Sequence, residues 1–171
     1  MNRPEKNEYA EYYETYVSLV GETDVVSAMQ NQIDELNDLF SQIADEKGLY
    51  AYAEGKWTIK ELLGHLIDGE RVFAYRAFRF ARADKTPLPG FDQTPYIENA
   101  NYNSIKIDDL LAELILLRKS NILLFSNLPD EAWSRTGIAS DNEISVRALV
   151  YNLVGHIRHH VNILKERYLG E

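Results

Sequence analysis

Apolar residues recur at alternating spacings of three and four along four long stretches of the chain, the seam of an amphipathic helix. In the first stretch the seam reads Val26, Met29, Ile33, Leu36, Phe40 and Ile43, opening near Thr23 and stopping around Gly48. The second begins at Trp57-Thr58 and runs to about Ala83, with Leu62, Leu66, Phe73 and Phe80 turned inward. Thr58 followed by Glu61 has the spacing of a capping box, in which each side chain bonds a backbone N–H that the helix start leaves free. The third stretch spans about Ile107 to Asn127 through Leu110, Leu114, Leu117 and Leu124, and Pro129 follows it. The fourth runs from about Ser145 to Tyr168, with Gly170 beyond. A shorter aromatic helix over Tyr9 to Val17 precedes them. No segment reads as a strand, and no internal repeat is visible. The pattern predicts an all-α fold, one four-helix bundle over residues 1–171 with its core over about 22–169.

The connections differ in length. About ten residues join the first two helices, which suits antiparallel neighbours. The link between the second and third reads ADKTPLPGFDQTPYIENANYNS, and Pro87, Pro89, Gly90 and Pro95 forbid a helix over its first half. An unstructured connection of roughly 20 residues is uncommon in a compact domain. It is read either as a crossover that spans the bundle or as a lid, residues 84–105, over a site.

Charge narrows the partners. The 18 basic and 27 acidic residues give a net charge of −9 and a pI near 5.0, which repels phosphate backbones and anionic membrane surfaces. Arg71, Arg76, Arg79 and Arg82 form the one basic cluster, read as a solvated face paired with nearby acids. No stretch has the roughly 20 apolar residues of a membrane span, and the charged N-terminus lacks the apolar region of a secretory signal. A cytoplasmic protein with no nucleic-acid or membrane partner is expected. The absence of cysteine removes thiolate ligands and cysteine nucleophiles from consideration.

The chemistry lies in the fourth helix, whose inward positions read Val146, Leu149, Leu153, His156, His160 and Ile163. Residues four apart share a helix face, with Cβ atoms roughly 6 Å apart, so both imidazoles can reach one ion through bonds of about 2.0–2.1 Å. Two buried imidazoles with no shared partner would each be desolvated without compensation. The second helix supplies His65, on a seam reading Leu62, His65, Gly69 and Val72, where the glycine lets a facing helix approach. Packing the two helices together sets His65 opposite His156 and His160. Three protein ligands with an open fourth position is the arrangement of a catalytic zinc-type site. The alternative is three histidines hydrogen-bonded as packing residues. His159, about 60° around the helix from His156, falls on the flank as a neighbour of the ligands, a substrate contact or a solvent-facing residue. Asp68 is one turn after His65 and is read as orienting a ligand imidazole or as a surface carboxylate. The HExxH metalloprotease motif is excluded, because Ile157 follows His156. A di-iron carboxylate bundle is excluded for want of paired Glu-x-x-His motifs.

The segments KWTIKELLGHLIDGERVFAYRAFRFAR, TPLPGFDQTPY and ISVRALVYNLVGHIRHHVNILKERYL resemble the DinB/YfiT-like superfamily, and most nearly its DinB_2 branch. The resemblance implies an up-down-down-up four-helix bundle in which His65, His156 and His160 bind a divalent transition metal, nickel or zinc foremost, often in a homodimer. The activities it implies are thiol-dependent S-transfer or isomerisation with a low-molecular-weight thiol as cosubstrate, or metal-dependent hydrolysis of a small-molecule substrate. A noncatalytic metal- or ligand-binding role is the third reading. An ion with an open position serves either chemistry, because it makes a water or a thiol acidic. Any nucleophilic thiol would have to come from outside this cysteine-free chain.

Overall fold

A computed structural model describes residues 2–170. A short aromatic segment with a single helical turn, α1 (Glu14–Val17), leads into α2 (Val25–Phe40). The second helix of the bundle is α3 (Ile59–Ala81), followed by a small helix, α4 (Gln93–Ala100), and then α5 (Ile107–Ser126). A hairpin of β1 (Thr136–Ala139) and β2 (Asn142–Ser145) precedes α6 (Val146–Ile163). The starts of α2, α3 and α6 are capped by their own side chains. Asp24 accepts from the Val26 and Ser27 amides, Ser145 from Ala148, and Thr58 and Glu61 form the expected reciprocal box.

Contacts at the two ends fix the helix directions. Asp45, beyond the end of α2, accepts the Ile107 N–H at 2.8 Å and the Lys60 ammonium at 3.0 Å. Helices α3 and α5 therefore both start where α2 finishes. At the opposite end the Tyr151 hydroxyl, near the start of α6, donates to the Glu22 and Thr23 carbonyls that precede α2. The four helices run up, down, down, up. Their packing departs from the reading of the short first link. Helix α3 lies along α5 and α6, and α2 lies along the same two, so α2 and α3 face each other across the diagonal. The linking residues, with a 3-10 turn over Asp45–Leu49, are long enough to cross the bundle's end.

Two further expectations are corrected. A strand pair exists where none was read: Thr136 to Ala139 pairs antiparallel with Asn142 to Ser145. Its turn places Ser140 and Asp141 at φ of 51° and 62°, the left-handed geometry of a tight hairpin, but without the Asn-Gly or Asp-Gly pair that signals one in sequence. The long connection also contains α4, capped by Asp92. Pro95 falls in its first turn, where a missing N–H costs nothing. The proline-rich half is tied down too. Leu88 donates to Ile138 at 2.9 Å and accepts from Ser140 at 3.1 Å, lying beside β1 like an added strand.

At the centre, Arg118 is fully buried and bonds all the helices together. Its guanidinium donates to Glu70 of α3 at 2.8 Å and to Gln32 of α2 at 2.9 Å. Gln32 in turn donates to the Val154 carbonyl of α6 at 2.9 Å, and Asn121 of α5 donates to the second Glu70 oxygen at 2.7 Å. Removing one partner of a buried pair strands the other charge, at a cost of about 3–5 kcal/mol. Glu70→Ala is expected to lose that much in urea unfolding, whereas Glu70→Leu combined with Arg118→Met should lose much less. Equal losses in the two proteins would show that the charge pairing is not what sets the cost.

Candidate metal centre

Helix α3 brings His65 against α6, and the three expected histidines meet. His65 and His156 are 3% and 4% exposed, and His160 is partly buried at the rim. The Nε2 atoms of His65 and His156 lie 3.0 Å apart. The three ring centroids form a nearly equilateral triangle with sides of 4.7, 4.7 and 4.8 Å, and one ligating nitrogen from each ring falls within 4.8 Å of the others. Two glycines make this possible. A Cβ on Gly69 would stand 2.8 Å from Cε1 of His156, so the ring occupies the space a side chain would fill. A Cβ on Gly155 would stand 2.0 Å from the Tyr16 carbonyl oxygen, so α1 presses directly onto α6 and lays Tyr16 against His156.

Burial sets the charge state. It holds His65 down to about 4 and His160 to about 3, and pushes His156 well below its ordinary value, with the neighbouring histidines adding repulsion. The three rings are neutral at physiological pH, the form in which imidazole is a ligand. Hydrogen bonding alone serves the cluster poorly. The 3.0 Å contact pairs only two of the three rings, and the buried Nδ1 atoms of His65 and His160 have no partner among the described residues. One cation would engage a lone pair from each ring. The donor set of three neutral imidazoles suits a transition ion.

His159 lies on the flank, its ring 5.0 Å from that of His160 and 5.4 Å from that of Tyr16. Asp68 does not orient His65, whose Nδ1 is unpartnered. It is half-buried beside the Tyr102 hydroxyl instead, because it points around α3 towards α4. The arginine cluster also divides. Arg71 pairs with Glu113 and Arg79 with Asp84, as a solvated face would, but Arg76 is buried.

His65 and His156 open onto a cavity of about 240 Å³. Phe73 and Phe91 form apolar walls, and Tyr13, Tyr16 and Arg76 bring polar groups. Gln93 from the start of α4 and Ser140 and Asn142 from the hairpin complete it. The proline-rich connection therefore covers the site as well as spanning the bundle. The aromatic run at the N-terminus carried a hint of these walls. Nothing marked Ser140 or Asn142, which reach the cavity through a hairpin absent from the sequence pattern.

A four-helix bundle of this direction pattern with three convergent histidines defines the class. The DinB superfamily profile, in its DinB_2 form, matches residues 28–164, and the chain belongs to that superfamily. It is 27% identical over 161 residues to a protein of Oceanobacillus iheyensis provisionally named a metal-dependent hydrolase, covering 93% of this chain and 83% of that one. Its fold is similar to that of YfiT from Bacillus subtilis, described as a probable metal-dependent hydrolase with an unusual four-helix bundle topology. The TM-score is 0.71 at 18% identity, over 98% of this chain and 93% of the other. It also resembles, at a TM-score of 0.62 and 12% identity, a histidine-to-alanine variant of the mycothiol-dependent maleylpyruvate isomerase, over 84% of this chain and 61% of that one. No helix among the described residues is long and apolar enough to cross a membrane.

The lowered histidine values make the metal-free protein acid-sensitive. Between the folded values and the ordinary 6.5, the unfolded chain binds more protons, so stability is complete above about 6.5 and falls as pH drops towards 4. Urea midpoints of metal-free protein are expected to be lower at about pH 5 than at pH 7.5, and His65→Gln should flatten that slope. A slope unchanged by the substitution would contradict the assignment of neutral buried rings.

Proposed function

We propose that the protein is a metal-dependent enzyme in which His65, His156 and His160 hold one divalent transition ion, nickel or zinc, and that it transfers a low-molecular-weight thiol to an electrophilic small molecule. The observation that carries this reading is the convergence of three neutral imidazoles, two of which, His65 and His156, are buried and line a cavity bounded by Phe91 and Gln93. When bound there, the ion would supply Lewis acidity that makes a thiol or a water nucleophilic at neutral pH.

The cavity wall favours sulfur over water. Its polar groups are hydroxyls, amides and a guanidinium, with no carboxylate among the described lining residues to relay protons from an attacking water. A thiol, with a pKa of about 8.5, is already partly ionised near neutral pH and depends less on such a base than water does. The chain contains no cysteine, so the sulfur belongs to a second substrate. Tyr16, against His156, and Phe73, across the same ring, exclude bulk water from the histidines. Hydrolysis is the second reading, supported by the names of the Oceanobacillus and Bacillus relatives.

Elemental analysis of untagged protein incubated with nickel, zinc or manganese should find about one transition ion per chain. His156→Ala should abolish uptake and His159→Ala should change it little. Gly69→Ala, which leaves every ligand in place but crowds the His156 ring, should weaken affinity about 10-fold or more. No uptake by the unmodified protein would refute the centre. The reaction is separated by assaying metal-loaded protein on a chromogenic haloaromatic with added thiol and on a nitrophenyl ester without. Thiol-dependent turnover of the first is expected, and turnover of the ester alone would establish the hydrolytic reading instead.

A further inference from the structure

Arg76 is 3% exposed, yet no ion pair among the described residues includes it. The other deeply buried arginine, Arg118, is neutralised by Glu70. Arg76 has only neutral partners: Nη2 donates to the Pro89 carbonyl at 2.7 Å and to Ser140 Oγ at 3.0 Å. The Tyr13 hydroxyl stands beside it, kept protonated because burial raises its pKa. Nη1 and Nε donate to no carbonyl or carboxylate among the described residues. A buried cation without a counter-charge is costly, and a protein retains one where something else supplies the charge.

Its position says what that is. Arg76 follows His65 by eleven residues on α3, about three turns, which returns it to within about 20° of the same face. Side chains on a helix lean towards its N-terminal end, so the guanidinium leans towards His65. Its Cζ lies 5.9 Å from the Phe73 ring centre, and the same ring has His156 as a neighbour 5.5 Å away. Arg76, His65 and His156 thus line one cavity, with the arginine about three helical turns from His65 and the Phe73 ring in the wall they share.

We propose that Arg76 is a substrate-recognition residue that binds a carboxylate on the small molecule occupying this cavity and holds the molecule's other end towards the three histidines. The role as a substrate contact rests on the function proposed above; the anion site itself does not. A guanidinium already held by two bonds presents its remaining donors as a fixed fork, which matches the two oxygens of a carboxylate. The Phe73 and Phe91 walls suit an apolar or aromatic body beside the anionic group.

The test compares benzoate, benzamide and phenyl phosphate by calorimetry on the full chain, before and after metal loading. Benzoate should bind both forms with millimolar affinity or better, and Arg76→Gln should weaken it about 10- to 100-fold, the loss of a charge-assisted bond. Arg76→Lys should restore only part of the affinity, because lysine returns the charge but not the two-point fork. Benzamide should bind more weakly and be indifferent to Arg76→Gln. Circular dichroism and a urea unfolding transition like those of the unmodified chain would show that Arg76→Gln is folded, whether or not metal binds. Benzoate that fails to bind, or binds as benzamide does, or is unaffected by Arg76→Gln, would overturn the proposal. A preference for phenyl phosphate lost in Arg76→Gln would overturn the carboxylate assignment in favour of a phosphate ester. Failure of the metal reading alone would appear as absent metal uptake with Arg76-dependent benzoate binding intact.

Discussion

The bundle is organised around one buried charge. Arg118 reaches from α5 to Glu70 on α3 and Gln32 on α2, and Gln32 continues to the Val154 carbonyl on α6. Hydrophobic contacts resist separation of helices but only weakly resist sliding. A charged network with fixed bond directions sets register, because a slip of one turn would leave a guanidinium and a carboxylate buried and unpaired. Glu70 is adjacent to Gly69, and Val154 precedes His156 by two residues. The register that satisfies Arg118 is therefore the one that seats the His156 ring over Gly69 and brings it to His65.

From that alignment the chemistry of the site follows. Burial keeps three imidazoles neutral and their lone pairs available, while Trp57 and Tyr16 pack on the rings and limit their rotation. The same burial makes Arg76 conspicuous. One arginine in the core completes an internal salt bridge, and the other, on the histidine-bearing face of α3, looks into a cavity with its charge unanswered. The site is polarised, with electron-pair donors at His65 and His156 and a cation about three helical turns along α3 from the first. Such an arrangement orients a small molecule that carries an anionic group away from its reacting atom.

Much of this was legible in the sequence, and the exceptions have physical causes. The three-four periodicity located all four long helices because the largest apolar side chains of each fall on its core-facing side, even though α3 and α6 are buried over most of their surface, and Thr58 and Glu61 marked the start of α3. His65, His156 and His160 stood out because polar rings on apolar seams need a shared partner. Adjacency was not legible. Short links ordinarily join neighbouring helices, but here α2 and α3 sit on the diagonal, and only the Asp45 contacts reveal the crossing. The hairpin was hidden by its brevity and its Ser140-Asp141 turn, and with it the cavity residues Ser140 and Asn142. Asp68 read as a carboxylate orienting a ligand imidazole or lying on the surface, and Arg76 as part of a solvated basic face. Only the packing of α4 beside the first, and of Pro89 and the hairpin over the second, shows what each one touches.

Whether the histidine triangle holds a metal is decided by a crystal structure of nickel-loaded protein with anomalous data at the nickel edge. One strong anomalous peak is expected about 2.0–2.1 Å from a nitrogen of each of His65, His156 and His160, facing the cavity beneath Phe91. A peak bound elsewhere on the chain, or one touching fewer than three of these rings, would contradict that assignment.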